Sequence, residues 1–185
     1  MEFLSQLWMP IVLSAVLVFV VSSVIHMALP VHKSDKQPVP NEARVAEALR
    51  GLPAGQYVIP ACKDMKEMAS PEMLAKYQSG PVGMITLMKA GMPSIGKFLL
   101  QWFMFTLLVG AITGYVAWHS VGPATDYLRV FQLTGTVAWM AYGIGEITGS
   151  IWKGVPWYVT FKFLIDGLVY ALVTAGCFGW LWPRG

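Results

Sequence analysis

With 185 residues, 56% hydrophobic and only 12% charged, the chain carries about half the charge of an ordinary soluble domain, which excludes that class. A formal net charge of +3, with bases and acids interleaved, gives no reason to expect a nucleic-acid partner. Two cysteines, Cys62 in a polar stretch and Cys177 in an apolar one, exclude a disulfide framework.

The hydrophobic residues are blocked into uncharged runs from Phe3 to His32, Phe98 to Thr125, Val130 to Gly145 and Gly167 to Pro183. A spanning helix needs roughly 20 apolar residues, so transmembrane helices are expected at 8–30, 98–118, 127–147 and 161–182. The first run is preceded by Glu2 without Lys or Arg and lacks a small-residue cleavage site, the pattern of an uncleaved anchor. Trp8 suits one interface and Pro30 ends the helix near the other.

Residues 31–97 form a polar, Pro-containing stretch, expected to be a small α+β cap outside the membrane. Within it Asn41 is placed to start a helix carrying Val45, Ala48, Leu49 and Leu52 on one face, with Gly51 near its end. Ser70, Pro71 and Glu72 mark a second helix start and Gly80 its stop, while Gln56–Ile59 and Val82–Met88 read as extended.

Small residues recur where helices would touch. Gly110 and Gly114 have GxxxG spacing in the second span; Ala141, Gly145 and Gly149 form a stripe on the third; Gly167, Ala171, Ala175 and Gly179 form one on the fourth. For orientation, the long loop holds Lys33, Lys36, Arg44, Arg50, Lys63, Lys66, Lys76, Lys89 and Lys97, with Lys153 and Lys162 on the same side, against Arg129 and Arg184 opposite. That bias favours a cytoplasmic loop with both termini outside, in a cell inner (plasma) membrane.

Glu146, Lys162 and Asp166 stand where a membrane helix rarely carries charge. In an antiparallel hairpin all three meet at the inner boundary, where a lysine between two acids reads first as an ion pair fixing helix register. The alternative is an ion or proton relay of a small transporter or channel component. Asp126 and Arg129 form an i, i+3 pair at the outer end of the third helix, with Thr125 as its expected cap.

Among the histidines, His26 and His119 should be a bilayer apart, and His32 meets His26 only if the chain folds back after Pro30; interfacial roles are therefore favoured. Cys62, Met65 and Met68 would share a helical face and offer soft ligands for Cu(I), a third functional reading set against simple packing of flexible methionines. No nucleophile elbow, P-loop, zinc-protease helix or dinucleotide fingerprint is present, so neither an enzyme nor a cofactor is expected.

The stretches VHKSD (Val31–Asp35), ALR (Ala48–Arg50), GQYVIP (Gly55–Pro60) and AGCFGWLWP (Ala175–Pro183) resemble those of uncharacterised bacterial multi-span membrane proteins. The resemblance implies membrane location and no particular activity. Together these readings lead to an all-α integral membrane protein of four helices with a cap between the first two. Its leading role is a non-catalytic subunit or scaffold whose partners are the lipid bilayer, further copies or other membrane subunits.

Overall fold

The computed structural model describes residues 2–184. It is mostly helical, with one small two-stranded sheet. Three helices are long and apolar enough to cross a membrane: Glu2–Ala28, Ile95–Ser120 and Trp157–Trp180.

The first of these is an α-helix, α1 (Glu2–Ser23), that widens into a π turn over Val24–Ala28. The local chemistry explains the change. Ser22 and Ser23 both donate their hydroxyls to the Phe19 carbonyl, at 2.9 and 2.8 Å, competing with the backbone ladder just before it loosens. Leu29 is extended (φ −88°, ψ 145°), as the residue before a proline should be, and Pro30–His32 then makes a single 3-10 turn. The chain therefore doubles back after Pro30.

The cap follows with α2 (Glu42–Leu49), β1 (Gly55–Ile59), the one-turn α3 (Met65–Met68), α4 (Pro71–Ser79) and β2 (Gly83–Leu87). Ser70 caps α4 by accepting from the Met73 amide at 3.2 Å, and Gly80 ends it at φ 63°. The two extended stretches pair antiparallel with Tyr57 opposite Ile85. Asn41 precedes α2 in the left-handed region and makes no side-chain capping bond.

The remaining helices are α5 (Ile95–Ser120), α6 (Tyr127–Tyr142), the short α7 (Ile147–Trp152) and α8 (Trp157–Trp180). The main interfaces join α6 to α8, α1 to α5 and α1 to α8. Where a continuous helix over 127–147 is expected, α6 stops at Tyr142, and Ile144–Glu146 forms a 3-10 turn before α7. The break lies at the tightest crossing in the bundle. A Cβ on Gly167 of α8 would stand 2.6 Å from the Gly143 Cα, so the two backbones touch there.

Most of the expected packing residues lie in these contacts. Gly110 abuts the Ile11 carbonyl, Gly114 the Phe178 ring and Gly179 the Tyr127 ring, while Ala171 and Ala175 are buried. The stripe expected on the third segment does not pack this way. Ala141 is exposed, Gly145 faces open space and Gly149 meets only Val155 of the following turn. The helix break explains the two glycines, because i+4 register is not kept beyond Tyr142, while Ala141 lies on the outward face of α6; Gly135, Ala138 and Gly143 stand against α8 instead.

Inside the bundle, buried hydroxyls are interleaved with apolar side chains such as Leu7, Val18, Val130 and Phe178. Ser14, Thr106, Thr134 and Thr174 are buried, and each donates to a carbonyl of its own helix. Outward stand Trp8, Val20, Leu108, Ile112, Ile165 and Leu172.

Candidate functional site

The reversal at Pro30 brings two distant parts of the chain together. His26, in the π turn, stacks on His32 with ring centroids 4.3 Å apart, and both rings lie beside Phe163 of α8. One turn further along α8, Asp166 is buried at 6% exposure. Its Oδ2 is 2.8 Å from His32 Nε2 and 3.7 Å from His26 Nε2.

The other nitrogen of His32 is fixed from the loop side. His32 Nδ1 lies 2.5 Å from Asp35 Oδ2, and Lys162 donates to Asp35 Oδ1 at 2.6 Å. Lys162 also donates to the Val31 carbonyl at 2.8 Å and to the Ser34 hydroxyl at 3.1 Å, so one ammonium group ties the post-Pro30 turn to α8. Burial alone would push the Asp35 carboxyl up. The hydrogen bonds from Lys162 and His32, together with their charges, outweigh that and hold it below the ordinary carboxylate range.

The expected grouping of Glu146, Lys162 and Asp166 is therefore rearranged. Lys162 pairs with Asp35, Asp166 faces the histidines, and Glu146 is exposed without an ion pair among the described residues. Spacing along α8 brings Lys162 and Asp166 near each other. A partner from the reversed loop then captures the lysine, and that partner is 127 residues away in sequence.

Short distance does not make the His32–Asp166 contact a hydrogen bond. Although 2.8 Å apart, His32 Nε2 and Asp166 Oδ2 are not aligned for one, and both are buried without a hydrogen-bond partner. His26, His32 and Asp166 each offer one ligand atom, all within 4.8 Å of one another, and so could hold a metal ion. Beside them opens a pocket of about 600 Å³ lined by His26, His32, Asp35, Lys36, Lys153 and Phe163, among others. A slightly larger groove of about 660 Å³ in the cap is lined by Leu49, Leu52, Pro53 and Leu87, and its charged residues are Arg50 and Lys89. Chemistry converges on the first pocket.

The other sequence candidates lie apart. Asp126 itself caps α6 by accepting from the Arg129 amide at 3.1 Å, while Thr125 donates to the Gly122 carbonyl; the Arg129 side chain has no ion pair among the described residues. His119 packs on Tyr115 at the opposite end of the bundle, near Glu2 and Phe3. Cys62 precedes α3, which starts only at Met65 with Asp64 as its cap, so no helical face joins Cys62 to Met65 and Met68.

The meeting of His26 with His32, which the sequence leaves second to interfacial roles, has its signal in Pro30 between them, since a proline that ends a helix also frees the next residues to turn back. No protein-family model matches the chain, and neither a curated protein nor a solved structure matches it.

Proposed function

We propose that the chain is a four-span integral membrane protein of the bacterial inner membrane that binds a small polar ligand at a one-sided site at the cap end of its bundle. The observation that carries this reading is the grouping of Asp166, His32, Asp35 and Lys162 beside a pocket of about 600 Å³ at the cap end of the bundle. Among the described residues the other buried polar side chains are Ser, Thr and Tyr; the hydroxyls of Ser14, Thr106, Thr134 and Thr174 serve their own helices, and those of Thr113 and Tyr170 have no hydrogen-bond partner, so no hydrogen-bonded file continues from Asp166. That supports a site entered from one face over a relay across the bilayer.

Four spans are favoured by packing. At 16 residues α6 is about 24 Å long, against a hydrocarbon core of about 30 Å, yet it lies along α8 and its path continues through α7. A broken helix at membrane depth is acceptable where neighbouring helices cover it. The apolar exterior suits lipid, and the lysine bias favours a cytoplasmic cap. The α8 stripe and the α5 glycines are engaged within the chain itself, which leaves them little surface for a scaffold role.

The test is cysteine accessibility in a Cys62→Ser, Cys177→Ser background. Single cysteines at positions 26, 62 and 184 are challenged with a membrane-impermeant maleimide from each face. Positions 26 and 62 should react from the same face and position 184 from the other. Labelling of position 26 from the face of position 184 would sink the one-sided site, as would an ion flux in liposomes that Asp166→Asn abolishes.

A further inference from the structure

Resting on that one-sided site, we propose that its ligand is a divalent transition-metal ion of the Zn²⁺ kind, held by His26 Nε2, His32 Nε2 and Asp166 Oδ2. The first support is chemical. If His32 donates its Nδ1 hydrogen to Asp35, its Nε2 lone pair faces the lone pairs of Asp166 Oδ2 at 2.8 Å. Two acceptors that close need a positive species touching both. A proton on Nε2 would give an ion pair but, with the two atoms out of alignment, no hydrogen bond between them. An ion sitting to one side of the line between them bonds both lone pairs.

The second support is metrical. Zn²⁺ held tetrahedrally at about 2.0–2.1 Å keeps its ligand atoms about 3.4 Å apart. The measured separations of Asp166 Oδ2 from the two imidazole nitrogens, 2.8 and 3.7 Å, fall on either side of that value. Small side-chain rotations would equalise them. His26 is partly exposed, so the fourth position of the ion faces the pocket and water.

The third support is the surrounding shell. A metal-binding histidine usually gives its other ring nitrogen to a carboxylate, which fixes the ring and its tautomer. Asp35 stands in that place at His32 Nδ1, itself anchored by Lys162. Asp35 and Lys162 are positioning residues, then, and the three converging atoms are the ligands. Lys33, Lys36 and Lys153 also line the pocket, but they are exposed, so water and salt screen them from the ion. Imidazole and carboxylate without thiolate suit Zn²⁺, Fe²⁺ or Co²⁺ and disfavour the soft Cu(I).

The experiment uses the full-length protein in mild detergent, freed of any affinity tag and stripped with EDTA. Co²⁺ is added and followed by visible absorption, with bound metal counted by mass spectrometry. One Co²⁺ per chain is expected, with the intense band of a four-coordinate ion, and Zn²⁺ should displace it. His26→Ala should remove the one-to-one binding. Asp35→Asn should keep the stoichiometry and weaken affinity about 10–100-fold, the range for a lost outer-shell partner. Wild-type protein that takes up no Co²⁺ or Zn²⁺ would overturn the proposal without recourse to any variant. So would binding that His26→Ala leaves unchanged. Maleimide access to position 26 is read without metal, so a failure here with position 26 still open to the cap face rejects the ion and keeps the one-sided site.

Discussion

Lys162 makes three hydrogen bonds to the turn after Pro30 and stands over the Tyr158 ring, with its ammonium 5.5 Å from the ring centre. Replacing it by Met leaves the Asp35 carboxylate with His32 alone. Breaking a fully buried pair costs roughly 3–5 kcal/mol. Because the lysine side chain is 24% exposed, a smaller loss of about 1–3 kcal/mol is expected for Lys162→Met. The midpoint of thermal unfolding in detergent should fall accordingly, and Lys162→Arg should recover much of it. At this scale the sequence was legible in kind and not in pairing. That Lys162 and Asp166 are special follows from charge inside an apolar run; that Asp35 and His32 complete them does not, because no local spacing links residue 35 to residue 162.

Elements were easier to read where the signal is local. The start of α4 follows from Ser70-Pro71 and its end from Gly80, and the apolar runs announce α1, α5 and α8. The break in α6 was hidden, since Gly143 and Gly145 look alike in sequence and only contact with Gly167 distinguishes them. Glycines of one helix should therefore respond differently to the same substitution. Gly167→Ala forces a methyl group against the Gly143 backbone, and overpacking of this kind typically costs about 1–3 kcal/mol. Gly176→Ala, also within α8 but with open space around it, should stabilise by up to about 1 kcal/mol through helix propensity. Comparing the two unfolding midpoints tests the crossing, and equal shifts would mean that α6 and α8 do not touch as described.

For the molecule as a whole, composition separates the apolar bundle from the polar cap, and the structure adds how the two are joined. The cap has little core of its own: Met73 is its only fully buried side chain among the described residues, and no interface with the bundle matches those between the helices. Stability should accordingly be uneven, with the cap at the low end. The contact between Asp35 and Lys162 gives that arrangement a topological meaning. It joins residues 127 apart, so the cap, α5, α6 and α7 form one long loop closed at its neck. A loop closed in this way can be cut without coming apart. Trypsin acting at the exposed Lys63 or Lys66 should leave two fragments that still elute together in detergent, because α1 remains packed on α5 and α8 and the neck remains closed. Fragments that separate after one cut would mean that the cap backbone, and not the neck, keeps the first helix with the rest.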